Sequence, residues 1–109
     1  MDDKYEKLKE AIRKAIDAAN LAQTEDGGTC NFDSPVLCYK EMGYSRAKAL
    51  AAVRETGLDA WPSSGIWKGC IVMDGMTRGQ GNCRTTMAEA FAASLNSSGI
   101  KSGVYYQMN

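Results

Sequence analysis

The segment from Arg78 to Thr86 contains the residues whose types and spacing are best suited to binding a charged ligand. It reads Arg-Gly-Gln-Gly-Asn-Cys-Arg-Thr-Thr and precedes a short amphipathic stretch. Backbone N–H groups in a glycine-rich loop or at a helix N-terminus bind anions, and arginine forks onto phosphate or carboxylate. We therefore predict a site for a small anionic ligand. Its expected residues are Arg78, Gly79, Gln80, Gly81, Asn82, Arg84, Thr85 and Thr86.

The helix that follows this loop has two possible starting points. Thr86 and Glu89 have the spacing of a capping box, in which each side chain satisfies the other's free backbone N–H. If Thr86 is the cap, Arg84 closes the loop; if Asn82 is the cap, Arg84 opens the helix. Met87, Phe91 and Leu95 form the predicted core-facing stripe.

Two further polar residues are candidates for the same ligand. The run Thr29-Cys30-Asn31-Phe32-Asp33 alternates polar and apolar residues, which is typical of a short strand. Asn31 and Asp33 would then share a polar face, from which they could reach a hydroxyl or amide of the ligand. The alternative is that they cap the next helix and close the turn.

Known nucleotide motifs do not match the glycine-rich loop. The run from Gly79 to Arg84 resembles a dinucleotide-binding fingerprint, but Arg84 stands where the third glycine belongs. The chain has neither a Gly-Lys-Ser/Thr loop nor a Cys-x5-Arg phosphatase loop. The prediction of a nucleotide-like anion therefore depends on backbone and arginine chemistry alone.

The residue inventory favours a non-enzymatic binding module. The chain has no histidine, which removes the commonest general base and the partner that activates serine and cysteine nucleophiles. A cysteine-dependent enzyme working through Cys83 or Asp33 is the weaker alternative. We predict no catalytic residue and no cofactor. The irregular spacing of Cys30, Cys38, Cys70 and Cys83 predicts no metal site, and we expect free thiols.

Composition describes an ordinary globular chain. Its 109 residues suit a single domain spanning positions 1–109, and 44% are hydrophobic and 24% charged. The net charge of zero favours neither nucleic acid nor an anionic membrane as a partner. The charged N-terminal segment is unlike a secretion signal, so we expect a cytoplasmic protein.

Hydrophobic periodicity predicts three helices before position 60. The first covers residues 3–22 and has an apolar side through Leu8 and Ile12. Asp33, Ser34 and Pro35 have the pattern of a helix start, which predicts a short helix over 36–42. Ser45 can cap a further helix over 46–56, which Gly57 would end.

The segment from Met42 to Gly57 resembles the first loop and second helix of ubiquitin-associated domains. In that family the Met-Gly-Phe/Tyr loop contacts ubiquitin, so the resemblance implies a protein-interaction module using Met42, Gly43 and Tyr44. The same segment also resembles a helix-turn-helix, with Arg46, Lys48 and Arg54 on the recognition helix.

Strand patterns are concentrated in the second half of the chain. The run from Gly65 to Met73 is rich in Ile, Val and Trp, and Val104 to Met108 offers a second strand. We therefore predict an α+β fold, in which a helical first half packs on a small sheet and the second half has the order strand, glycine-rich loop, helix, strand. A homo-oligomer would cover the edges of so small a sheet.

Overall fold

The chain folds as the predicted α+β class. A computed structural model describes residues 3–21, 34–63, 68–74 and 84–105, the last range with side chains from residue 87 onward. The helices and strands within these ranges are α1 (Asp3–Leu21), β1 (Ser34–Leu37), α2 (Arg46–Glu55), β2 (Asp59–Pro62), β3 (Ile71–Asp74), α3 (Arg84–Ser97) and β4 (Ser102–Tyr105).

The four strands form one antiparallel sheet in the order β2-β3-β1-β4. Val36 pairs with Val72 and Leu37 with Ile71, so β1 and β3 are the two central strands. β4 pairs with β1 along its whole length, and β2 pairs with β3 on the other side. The predicted strands that flank the glycine-rich loop are therefore not neighbours, because β1 lies between them.

The main core lies between one face of this sheet and the helices. Leu37, Ile71 and Met73 project from the central strands into a cluster with Leu8 of α1 and Phe91 of α3, all fully buried. A salt bridge from Lys9 to Glu55 adds a polar link between α1 and α2, with Nζ and Oε1 3.0 Å apart. The three helices therefore share one core with this face of the sheet.

The opposite face of the sheet also carries buried side chains. Val36, Cys38, Cys70 and Val72 form a separate cluster there, each no more than 7% exposed. β1 is consequently buried on both of its faces, as its pattern of four buried residues shows.

The predicted helix over residues 36–42 is wrong. Residues 34–37 form the central strand β1, and residues 39–43 form a turn. A strand buried on both faces is a continuous apolar run, which periodicity cannot distinguish from a short buried helix. Pro35 is compatible with this strand because the pairing of β1 with β3 begins only at Val36, so the missing N–H of Pro35 removes no hydrogen bond of that pairing. The helix that would precede Gly43 in a helix-turn-helix is therefore absent, and a strand stands in its place.

The strand boundaries also differ from those expected. β3 begins at Ile71, because Lys68 and Gly69 form a turn, and the strand β2 was not predicted. Only Ala60 of β2 is buried, so this edge strand has almost no hydrophobic pattern to detect. β4 begins at Ser102, two residues earlier than predicted, while residues 106–108 of the predicted strand lie outside the described ranges.

The helices follow the local signals more closely. α1 and α2 end within one residue of their predicted ends. Ser45 caps α2 by accepting a hydrogen bond from the backbone N–H of Lys48 at 3.4 Å, and Gly57 follows the helix with φ +98°. No helix within the described ranges is long and apolar enough to cross a bilayer.

The proposed capping box of α3 is wrong. The helix begins at Arg84, so Thr86 has a helical backbone and is not the N-cap. Of the two alternatives for Arg84, the structure shows that it opens the helix.

Candidate functional site

The predicted ligand loop can be placed only in part. Arg84, Thr85 and Thr86 form the first turn of α3, and the structure describes their backbone alone. The other predicted site residues lie outside the described ranges, namely Asn31, Asp33, Arg78, Gly79, Gln80, Gly81 and Asn82. Cys83, the candidate nucleophile, lies outside them as well.

A different cavity has described residues from three segments of the chain in its lining. It has a volume of about 370 Å³ and opens where the turn after β1, the start of α2 and the β2–β3 connection meet. We call it the cationic cavity. Its described lining residues are Tyr39, Lys40, Arg46, Pro62, Ser63, Lys68 and Gly69.

Backbone hydrogen bonds hold the turn after β1 in place. The N–H of Tyr44 donates to the carbonyl of Tyr39 at 3.0 Å, and the N–H of Gly43 donates to the carbonyl of Lys40 at 3.2 Å. Gly43 has φ +74°, a conformation that glycine adopts without strain. This tight turn brings Lys40 back beside the first residue of α2.

The β2–β3 connection is fastened to the same region. The N–H of Ser63 donates to the carbonyl of Cys70 at 3.0 Å, and the N–H of Lys40 donates to the carbonyl of Gly69 at 3.2 Å. These two hydrogen bonds position Gly69 and Cys70 beside β2 and the turn after β1. Lys68, which directly precedes Gly69, therefore lines the cavity.

The lining of the cationic cavity has a one-sided charge. Its described residues include the cations Lys40, Arg46 and Lys68 and no acidic residue. Among the described residues, none forms an ion pair with these three side chains. An anion in this cavity would therefore face three cations for which no described carboxylate competes.

The start of α2 adds to this imbalance. Its first turn contains Arg46 and Lys48 and no acidic residue. The N-terminal end of a helix carries a partial positive charge, so cations are disfavoured there. The opposite end of the same helix carries Arg54, which donates to the carbonyl of Ala60 at 2.8 Å and so ties α2 to β2. Arg54 therefore has a structural role, which differs from the helix-turn-helix expectation.

A larger open groove lies beside α1. It measures about 820 Å³ and mixes the cations Lys4, Lys7, Arg13 and Lys14 with Glu10 and Asp17. The rest of its described lining is Ala11, Met42, Tyr44, Ser98, Gly99 and Ile100. The two side chains that the ubiquitin-associated resemblance singles out, Met42 and Tyr44, thus both face this α1 groove.

The residues around Tyr44 are held by polar and aromatic contacts. The rings of Tyr5 and Tyr44 lie 5.4 Å apart, and Lys4 Nζ lies within 6 Å of both. The same Nζ donates to the carbonyl of Gly43 at 3.1 Å. Burial, with a smaller contribution from Tyr5, raises the pKa of the Tyr44 phenol above its ordinary value. The Met42 sulfur accepts the N–H of Lys101 at 3.4 Å. The Met42 sulfur, the Gly43 carbonyl and the Tyr44 ring therefore all make contacts within the fold.

No group of acidic, cysteine or histidine side chains within the described ranges could hold a metal ion. Comparison of the chain with protein-family models, with curated proteins and with solved structures gave no significant match.

Sequence reasoning missed Lys40 and Lys68 as candidate ligand contacts. Each is a single lysine in a turn, and nothing in its spacing points to the other. Arg46 carried a usable signal, because a cation in the first turn after the cap Ser45 has the same unfavourable position that drew attention to Arg84.

Proposed function

We propose that this protein is a non-enzymatic binding module for a small anionic ligand of phosphate or nucleotide type. The observation that carries the proposal is the cationic cavity, whose described lining contains Lys40, Arg46 and Lys68 and no carboxylate. Its volume of about 370 Å³ falls within the range of small-molecule sites, roughly 300–1,000 Å³.

The three cations supply different kinds of contact. Arg46 can fork two parallel N–H groups onto two oxygens of one phosphate or carboxylate. Lys40 and Lys68 act as point charges and can bind oxygens of the same or an adjacent phosphate. Because the three residues come from separate segments, they can surround an anion with several charged oxygens better than one flat carboxylate.

The predicted glycine-rich loop remains a candidate site for the same ligand class. Arg84 opens α3 as Arg46 opens α2, so both helices place a cation in the turn where an anion is favoured. The two locations make different predictions for single substitutions, and one experiment can compare them.

The experiment is titration calorimetry with pyrophosphate, ATP and citrate against four variants. Arg46→Gln and Lys68→Gln remove charges from the cationic cavity, and we expect each to weaken binding about 10- to 100-fold, the scale of one charge-assisted hydrogen bond. Lys14→Gln removes a charge from the α1 groove, and we expect it to leave affinity unchanged. Arg84→Gln tests the glycine-rich loop.

Each outcome assigns or rejects a site. A loss confined to Arg84→Gln would place the ligand at the glycine-rich loop and reject the cationic cavity. A loss confined to Lys14→Gln would place it in the α1 groove. Binding of none of the three anions by the unmodified protein would overturn the proposed function. Melting temperatures of the unliganded variants show whether any loss of affinity is only a loss of folding.

A protein-interaction module is the second candidate, and the α1 groove supports it. The groove is open and partly apolar, and four of the six charged residues in its described lining are cations. An acidic polypeptide segment would suit this surface better than a small anion would. Titration with an acidic peptide, comparing Lys7→Glu with Lys68→Glu, tests it: only the first substitution should abolish binding.

A further inference from the structure

Cys38 and Cys70 occupy facing positions at the end of the central strand pair. Cys38 directly follows β1 and Cys70 directly precedes β3. Because Val36 pairs with Val72 and Leu37 with Ile71, the next pair in the same register is Cys38 with Cys70.

Cys38 and Cys70 form a non-hydrogen-bonded pair of the antiparallel ladder, because their backbone groups bond to other segments and not to each other. The N–H of Cys38 donates to the carbonyl of Lys101 at 3.0 Å, on the side of β4. The carbonyl of Cys70 accepts from the N–H of Ser63 at 3.0 Å, on the side of β2. The N–H and carbonyl of one strand residue point to the same side, so the two cysteines direct their backbone groups away from each other. In such pairs the Cα atoms lie about 4.5 Å apart, within the roughly 4.4–6.8 Å that a disulfide spans.

The two side chains already meet. Their Sγ atoms are 3.4 Å apart, and both thiols are free and buried beside Val36 and Val72. Forming a disulfide needs a further approach of the sulfurs and no change in strand register.

We propose that Cys38 and Cys70 are a redox modification site, which forms a cross-strand disulfide by exchange with a small aliphatic disulfide such as oxidised glutathione. One cysteine thiol loses its proton, and its thiolate attacks the external disulfide and releases one external thiolate. The second cysteine, as thiolate, then attacks the mixed disulfide and releases the other external thiolate. The protein sulfurs are oxidised, the external disulfide is reduced to two thiols, and the two protons end on those thiols.

Burial of the two cysteines governs the rate of this thiol–disulfide exchange. Burial, with a further contribution from the hydrogen bond of Cys70, raises the pKa of Cys38 to about 12. The folded protein therefore holds almost no Cys38 thiolate at neutral pH, and thiolate is the attacking species. Exchange is consequently faster before β1 and β3 pair, or during transient opening, and the finished disulfide is sheltered from external thiols.

The test measures whether the native fold favours the bond. A Cys30→Ser, Cys83→Ser variant retains only the proposed pair. It is equilibrated in glutathione buffers of graded ratio, both folded and in urea, and the oxidised fraction is counted by alkylation and mass spectrometry. We expect the equilibrium constant for disulfide formation to be at least about 100-fold larger in the folded protein, because the fold places the two sulfurs together. An equal or smaller constant in the folded state would overturn the proposal.

The unmodified protein provides the second measurement. Trypsin releases Cys70 in peptide 69–78 but leaves Cys30 and Cys38 together in peptide 15–40. Chymotrypsin cleavage after Phe32 then separates those two cysteines. A Cys38–Cys70 linkage is expected after oxidation; Cys70 left free, or joined to Cys30 or Cys83, contradicts it.

Discussion

Gly69 and Lys40 are in contact through both backbone and side chain. The N–H of Lys40 donates to the carbonyl of Gly69 at 3.2 Å. A Cβ atom added to Gly69 would lie 3.3 Å from both Cβ and Cδ of Lys40. The glycine therefore leaves the space in which the Lys40 side chain passes along the wall of the cationic cavity.

Gly69→Ala tests this relationship. The backbone of Gly69 has φ +86°, which costs an L-residue about 1–2 kcal/mol, and the new methyl group also presses on Lys40. We expect lower stability in urea denaturation and weaker pyrophosphate binding. Gly57→Ala is the matched control, since Gly57 has φ +98° and nothing within 4 Å of an added Cβ. It should lose similar stability and keep its affinity; an equal loss of affinity in both variants would refute a role for the Lys40 contact.

The cap of α2 can be tested by Ser45→Ala. Ser45 Oγ accepts the N–H of Lys48, so its removal leaves a donor of the first turn without that partner. We expect a loss of about 1 kcal/mol in the free energy of unfolding. Ser45 also donates its own N–H to the hydroxyl of Tyr5 at 2.8 Å, a bond that the alanine variant retains and Tyr5→Phe removes. If Ser45→Ala is as stable as the unmodified protein, the cap makes no net contribution.

Two leucines of α1 give opposite expectations for the same substitution. Leu8 is fully buried in the main core, whereas Leu21 is 88% exposed at the end of the helix. Leu8→Ala should cost about 2–5 kcal/mol through lost burial and a cavity, and Leu21→Ala no more than about 0.5 kcal/mol. Thermal or urea unfolding of both variants measures the difference. Similar losses in the two would mean that α1 does not pack as described.

The raised pKa of Cys38 predicts a loss of stability in alkali. In the reduced protein this thiol has a pKa of about 12, against an ordinary value of 9.0. Between those values the folded chain keeps a proton that the unfolded chain releases. Stability should therefore fall as pH rises from about 9 towards 12, by up to about 1.4 kcal/mol per pH unit from this group, and be unaffected by it below 9. Urea midpoints across this range check the slope. Cys38→Ala, which lacks the thiol, should fall less steeply with pH, and an unchanged slope would contradict the assignment.

Local patterns were sufficient to predict α1, α2 and the α+β class. The apolar stripe of α1 through Leu8 and Ile12 repeats at helical spacing, and the bounds of α2 are marked by Ser45 and Gly57. These signals depend on interactions within one or two helical turns, so they can be interpreted without knowledge of the fold. The same local reasoning failed for residues 36–42, because burial of β1 on both faces comes from distant segments.

The anion prediction illustrates the same division. The glycine-rich loop and Arg84 favour an anionic ligand, and both the ligand class and the site residues stay predictions. The sequence could not bring Lys40, Arg46 and Lys68 together, since they lie in three segments joined by the pairing of β1 with β3 and by the Lys40–Gly69 hydrogen bond. Likewise, Cys38 and Cys70 are 32 positions apart in the chain, and strand register alone places their sulfurs 3.4 Å apart. Residue types therefore determined which chemistry is available, and tertiary pairing decided which side chains share a site, because contacts between distant segments depend on the register of strands that sequence periodicity does not specify.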